Sequence, residues 1–355
     1  MIKTYRHRER IFQEHNRRNR TIIAGMVSES RNPGSRIRIE RMIRDALLEI
    51  ADSIEIHVPS RLSILTLDSY KTLKSRDKGV TVTGISYMAP ASRGPLPGTL
   101  CADATLACFL LCLDHAGKNG LPDAFNARRW KTYTMMRLSE LYGRLLWHEL
   151  RHLIGLAGRV GLPPSYRSDG TTDVGLGCLI SQVVNDGHLL GLDDITFYDY
   201  TADPRRVGRY PRTSCQVTFS FKGDNHRAVE NWNRHRADGD GRYGGIAVVY
   251  DIGRNKPLPE FDAIGGRLLR VINGDQHDAR PWDVVDTDEP HIVGLHYKVP
   301  IMKPEQREPG EVIARASGFL RSMDSVSVDV CQVSNSVSVA SSAGAPGARF
   351  DLGVL

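Results

Sequence analysis

The sequence predicts an α/β fold, a partial or distorted (β/α) barrel, with an open, mainly parallel sheet as the alternative. Two observations predict it. Runs rich in β-branched and aromatic residues recur between residues 80 and 298, bounded by Gly, Pro and Asp. Segments with helical spacing separate several of them, and alternating strands and helices build mainly parallel sheets. Residues 252–266 carry no helical pattern, so regular eightfold alternation is not supported.

Residues 1–34 read as a basic arm. RHRERIFQEHNRRNR at 6–20 places Arg6, Arg8, Arg10, Arg17, Arg18 and Arg20 against Glu9 and Glu14, and the arm ends at the turn signal Asn32-Pro33-Gly34. Residues 35–61 hold an amphipathic helix, IRIERMIRDALLEI at 37–50, and a linker. The α/β core covers 62–300. Its expected strands are 80–88, 165–168, 195–200, 215–221, 246–250, 268–273 and 291–298. Its expected helices are 125–156, ended by Gly158 and Gly161, then 179–190, and 225–237 with Trp232 inside. Residues 301–355 turn rich in Ser, Val and Ala and read as a loosely ordered tail. No internal repeat is visible.

Composition narrows the class. The 355 residues are 41% hydrophobic and 25% charged, which is globular rather than disordered or fibrous. No stretch approaches the roughly 20 apolar residues of a membrane span. The charged N-terminus does not read as a secretory signal, so a soluble, cytoplasmic protein is expected. Cys101, Cys108 and Cys112 cluster, whereas Cys178, Cys215 and Cys331 are scattered. In a reducing compartment that pattern reads as a site rather than a disulfide framework. The net charge of +6 favours an anionic partner, either nucleic acid or a nucleotide.

A series of separated motifs is familiar. It comprises Lys71-Thr72-x-Lys74, Thr83-Gly84-Ile85-Ser86-Tyr87-Met88-Ala89-Pro90, Cys101-x6-Cys108-x3-Cys112 and Arg128 with Lys131-Thr132. It continues with Arg167-Ser168-Asp169-Gly170-Thr171-Thr172-Asp173, Phe197-Tyr198-Asp199-Tyr200-Thr201, Gly274-Asp275-x2-Asp278-x-Arg280 and Ile292-Val293-Gly294-Leu295. Over about residues 62–300 the chain resembles a family of phage- and plasmid-encoded proteins related to the phage gene product 88 group. The resemblance implies a mobile-element origin and a location in the host cytoplasm. It brings no known reaction with it. Relatives often carry Asn where this chain has Asp169.

Three constellations carry chemistry. Cys101, Cys108, Cys112 and His115 can close a tetrahedral zinc site, or the three thiolates can hold an iron–sulfur cluster; the alternative is that the cysteines are buried apolar residues. Asp169, Asp173, Asp199, Asp275 and Asp278 each sit at or just beyond the end of an expected strand, and parallel strands place such ends on one rim. They are the candidate catalytic carboxylates, converging on a shared mouth, although Asp is also common in turns. Lys71, Lys74, Arg128, Arg167, Lys222 and Arg280 are the candidate cations for an anionic substrate. His148-Glu149-Leu150-Arg151-His152 matches the HExxH signature of zinc proteases. No convincing third ligand follows it, so it reads as a scaffold helix. The favoured function is a metal-dependent enzyme acting on nucleic acid or nucleotide. The alternatives are a non-catalytic nucleic-acid-binding protein with a structural zinc clip, and an HExxH hydrolase.

Overall fold

A computed structural model describes residues 5–90, 93–112, 115, 117–206, 215–223, 229–230, 232, 243–283, 290–300, 302–327, 329 and 332. Among them, ten strands form one sheet. In chain order these are β1 (Leu65–Thr66), β2 (Val82–Ser86), β3 (Pro164–Arg167), β4 (Thr196–Thr201), β5 (Gln216–Ser220), β6 (Tyr243–Tyr250), β7 (Phe261–Ile264), β8 (Arg267–Asn273), β9 (His291–His296) and β10 (Leu320–Arg321). Their spatial order is β1-β2-β3-β4-β5-β6-β9-β8-β7, with β10 on β6. Pairs from β2 through β8 are parallel. The two edges, β1 on β2 and β7 on β8, are antiparallel. The sheet is therefore open and mainly parallel, and does not close into a barrel: β1 and β7 each have one neighbour and end it.

All seven expected strands are present. The unexpected ones are short or peripheral. β7 and β8 are joined by Gly265 and Gly266, whose φ values of 60° and 73° suit the two-residue turn that matches strand twist. β10 takes up the edge of β6 beyond the point where β5 leaves it.

The helices are α1 (Tyr5–Arg31), α2 (Arg36–Leu48), α3 (Tyr70–Asp77), α4 (Leu106–Leu110), α5 (Pro122–Arg137), α6 (Ser139–Val160), α7 (Leu176–Asn185) and α8 (Pro304–Ala316). The long helix expected over 125–156 is two helices broken at Leu138, where φ −118° and ψ 41° interrupt the helical path. Gly161, at φ 68°, ends α6 in the left-handed conformation that glycine favours. The segment 225–237 lies mostly outside the described residues; within it, Val229, Glu230 and Trp232 are helical, and Trp232 stacks on Phe219.

Two readings of the termini change. Residues 5–31, read as a basic arm, form a 27-residue helix packed along α6. Ile22 and Met26 are fully buried, each such burial stabilising by about 1.5–3 kcal/mol. Residues 304–321, read as the start of a loose tail, form α8 and β10. Arg321 grips the buried Asp262 through two contacts of 2.5 and 2.6 Å, and Tyr250 donates to the same carboxylate at 2.9 Å. Cys331 and residues 333–355 lie outside the described residues.

α6 packs over β2 and β3, with Leu153 against Gly84, and α7 over β4. This is the helical face of the sheet. α1 is held to α6 by backbone proximity: a Cβ on Gly25 would strike the Glu140 carbonyl, and one on Gly143 the Ile22 carbonyl. Gly143→Ala is expected to lower stability by about 1–3 kcal/mol, the cost of forced overpacking, in a urea unfolding midpoint. An unchanged midpoint would show that the helices are not in close contact.

Candidate functional site

Neighbouring residues of a strand face opposite ways. In β4 this sends Asp199 to the helical face and its flanking Tyr198 and Tyr200 to the other. Two polar clusters result, both at the carboxyl ends of β3 and β4, back to back across the sheet.

The cluster on the helical face centres on Arg206, which is 3% exposed. Its guanidinium reaches Asp173 at 2.6 Å, Asp199 at 3.3 Å and Asp169 at 3.5 Å. Asp169 also accepts from the Thr172 hydroxyl and from the N–H groups of Val174 and Gly175. Asp199 accepts from Ser168 Oγ at 2.6 Å, and that oxygen accepts from Gly177 N–H. Asp173 takes Thr201 Oγ1 and Ala202 N–H. Gly175 is at φ 75°, and a Cβ there would press on Arg206, so the loop is shaped around the guanidinium. Burial pushes the Asp173 and Asp199 carboxyls up, Asp199 strongly because Asp169 adds repulsion. Burial also opposes the Asp169 charge, but Arg206 and the N–H donors hold that carboxyl below its usual range. Every carboxylate oxygen here is engaged inside the protein. The cluster ties β3, β4 and α7 together.

The opposite cluster centres on Asp278, in the loop after β8. Its Oδ2 accepts from Arg167 Nη1 at 2.9 Å and from the Tyr198 hydroxyl at 3.4 Å, and its Oδ1 faces Lys71 Nζ at 3.3 Å. Burial opposes this charge, yet Lys71, Arg167 and Arg280 hold the carboxyl well below the usual carboxylate range. The Arg167 guanidinium lies 4.4 Å from the centre of the Tyr200 ring, a cation–π contact. Arg280, 2% exposed, donates Nη2 to the carbonyls of Gly274 and His277. Its Nη1 is 3.3 Å from Asp283. Strand register places Gln216 beside Tyr198 and Thr218 beside Tyr200.

This second cluster is incompletely satisfied. Among the described residues, Arg167 Nε, Arg280 Nε, His277 Nδ1, Gln216 Oε1 and Thr218 Oγ1 are buried without a hydrogen-bond partner, and Arg280 Nη1 has only its ion pair with Asp283. Each such group costs about 1–3 kcal/mol when left unmade. Burial, followed by Arg280, lowers the His277 pKa to about 4, so the ring is neutral at pH 7. Burial and then Asp278 push Tyr87 up to about 12. The arrangement is a largely buried, cation-rich, aromatic cluster at the carboxyl rim of a parallel sheet, the rim at which such folds bind ligands.

The expected shared mouth therefore splits. Asp278, Arg167, Arg280 and Lys71 come together. Lys74 reaches the Asp275 carbonyl and lies over the Tyr70 ring, and the Asp275 carboxylate turns to His296 at 2.9 Å and Lys298 at 3.1 Å. Asp169, Asp173 and Asp199 lie on the far face with Arg206. Arg128 is buried against the Asn119 carbonyl, and Lys222 lies over the Phe319 ring, so neither is placed beside Asp278.

The expected thiolate site does not gather either. Among the described residues no three His, Cys, Asp or Glu side chains converge as metal ligands. Cys101 Sγ lies 3.8 Å from the Thr171 carbonyl, Cys108 Sγ lies 3.8 Å from Lys222 Nζ, and His115 Nε2 lies 2.8 Å from an Arg93 nitrogen. The scattered Cys178 and Cys215 instead meet, with their sulfurs 2.9 Å apart.

The HExxH helix is α6, and its polar groups hold the scaffold. His148 meets Glu29 of α1 at 2.8 Å. Glu149 accepts from Leu65 N–H at 2.7 Å. His152 faces solvent.

A family model described as gene product 88 matches residues 65–307. The chain belongs to the gene product 88 family. The matched span opens at β1, ends within α8 and contains every residue of the Asp278 cleft. It leaves out α1 and α2. No curated protein and no solved structure matches the chain. Family membership supports the phage-type resemblance of the motifs and assigns no reaction. Among the described residues, no helix is long and apolar enough to cross a membrane.

Sequence reading missed Arg206, Gln216 and Thr218. Arg206 follows Asp203-Pro204 in what reads as a loop. The period-2 pattern of Phe197-Tyr198-Asp199-Tyr200 already separates Asp199 from the tyrosines.

Two measurements check the helical-face cluster. Arg206→Met leaves three carboxylates without their cation and is expected to cost about 3–5 kcal/mol in urea unfolding; a loss under about 1 kcal/mol would remove Arg206 from this central role. Asp103, 3.6 Å from Arg8, is pushed up to about 6 by burial and by Asp203 and Asp173. A raised carboxyl pKa stabilises the fold below the unfolded value and loses that contribution as pH rises through about 6. Asp103→Asn is therefore expected to raise stability relative to the parent at pH 8 and to change it little near pH 4. Equal effects at both pH values would show that Asp103 titrates normally.

Proposed function

We propose that this gene product 88 protein binds a phosphate-bearing ligand, a nucleotide or a nucleic-acid strand, in the cleft between Arg167, Arg280 and Lys71. One observation carries the reading: Arg167 and Arg280, two buried guanidinium groups flanking one carboxylate at the carboxyl rim of the sheet, each keep a buried Nε–H donor without a partner among the described residues. Forked guanidinium donors match phosphate oxygens in geometry and charge. The Tyr200 ring and the acceptors Gln216 and Thr218 supply a stacking surface and polar contacts beside them. Carboxylate chemistry is a weaker reading, because Asp278 is already held ionised by three cations and is a poor base. Asp278 instead occupies the place of an anion, engaging Arg167, Lys71 and Tyr198 much as a phosphate would.

A fluorescent nucleoside triphosphate and a labelled single-stranded oligonucleotide test this. Arg280→Gln is expected to weaken binding at least tenfold, since a hydrogen bond to a charged group contributes about 1.5–3 kcal/mol. Asp278→Asn is expected to tighten it by removing the internal competitor. A folded Arg280→Gln variant with the parent's affinity for both probes would end the reading.

A further inference from the structure

The outer face of α1 lies outside the matched family span and on the other side of the sheet from the cleft. Its inner side is committed: Ile22 and Met26 are buried, His15 meets the Thr99 carbonyl and Asn19 donates to the Val174 carbonyl. Its outer side carries Arg10, Arg17, Arg20 and Arg31, all exposed. At 3.6 residues per turn these four fall within about 80° of arc along about 31 Å of helix.

Exposed arginines without an ion pair among the described residues also occur elsewhere, at Arg38, Arg41 and Arg159 for example; what marks these four is that they share one strip of one helix. Arg18, Arg36, Arg44, Arg144 and Arg205 are ion-paired. The four outward arginines form no side-chain hydrogen bond or ion pair among the described residues. The one acid on that strip is Glu14, and it is tied to Arg18 at 2.8 Å. The remaining exposed positions are Gln13, Thr21, Ala24 and Ser28, so the strip has no large apolar side chain to enter a bilayer. Guanidinium groups without ion pairs along one face of a rigid helix complement the phosphates of a nucleic-acid backbone.

We infer that the outer face of α1 docks on the phosphate backbone of a nucleic acid, through Arg10, Arg17, Arg20 and Arg31. The contact is sequence-independent, because it engages phosphates and not base edges. It is independent of the Asp278 cleft, since the residues and the face of the sheet both differ.

The test is fluorescence anisotropy of labelled duplex and single-stranded DNA of mixed sequence, titrated over a range of salt concentrations. The full chain is compared with Arg10→Gln/Arg17→Gln/Arg20→Gln/Arg31→Gln and with Arg280→Gln. All four outward positions are exposed, so the quadruple variant should keep the parent's thermal midpoint. Each phosphate contact contributes about 0.7–0.9 to the slope of log affinity against log salt. The quadruple variant should therefore lose about 3 units of slope and at least tenfold in affinity at low salt, while its binding of a nucleoside triphosphate stays at the parent level. An unchanged slope overturns the inference, as does absent DNA binding by the parent at low salt. Binding to anionic phospholipid vesicles without binding to DNA overturns it too. Loss of triphosphate binding in Arg280→Gln alone bears only on the cleft, so the two readings can fail separately.

Discussion

The rest of the structure depends on the burial of Arg206. A guanidinium removed from water is strongly destabilising by itself and is tolerated only with close anionic partners. Here Asp169, Asp173 and Asp199 supply them from the ends of β3 and β4. Because those carboxylates also bind the N–H groups that open α7, one cation fixes two strand ends and a helix. The three carboxylates and one arginine do not balance as unit charges. Burial pushes the Asp173 and Asp199 carboxyls up, whereas Arg206 and the N–H donors hold Asp169 below its usual range.

That lock has a consequence across the sheet. With Asp199 turned to the helical face, Tyr198 and Tyr200 must face the other way, and Arg167 goes with them because it pairs in register with Tyr198. A similar set of residue types thus forms two clusters of opposite balance: on the helical face every carboxylate oxygen is engaged and Arg206 Nε is left over, whereas on the other face the atoms left over include both donors and acceptors. On the helical face one cation meets three anions and many N–H donors. On the cleft face Asp278 meets three cations, and guanidinium nitrogens remain over. The excess of cations over carboxylates around Asp278, against the excess of carboxylates around Arg206, is what separates the two faces, and strand position alone does not reveal it.

Much of the sheet was legible in the sequence because buried parallel strands leave dense β-branched runs. The runs at 82–86 and 246–250 were found on that signal. β1, β7 and β10 were not, since edge strands of two to four residues carry little pattern. The site was half legible. Arg167, Asp278, Arg280 and Lys71 were named, but so were Asp169, Asp173 and Asp199, because chain position shows that a residue ends a strand and only alternation shows which way it points. The thiolate spacing at 101–112 suggested a metal, yet α4 covers only Leu106–Leu110 and leaves Cys101 and Cys112 in separate loops. The basic stretch at 6–20 hid a helix because its buried side is assembled partly from polar residues, His15, Asn19 and Glu29 among them, which a hydrophobic pattern does not register.

Those polar residues also decide how α1 can be studied. Glu29 meets Arg144 at 2.7 Å and His148 at 2.8 Å. Burial opposes its charge, but these partners and the Gly34 N–H hold the carboxyl below its usual range. The HExxH helix thus presents its first histidine to α1, and its glutamate anchors β1 through Leu65. Removing residues 1–34 would do more than take away charge. It would expose the apolar groove of α6 that receives Ile22 and Met26, leave the Val174 carbonyl beside Asp173 without Asn19, and free His148. A truncation would therefore confound a lost phosphate contact with a loosened rim. Changing only outward arginines keeps the inner side of α1 intact, and so separates what the helix holds together from what its outer face touches.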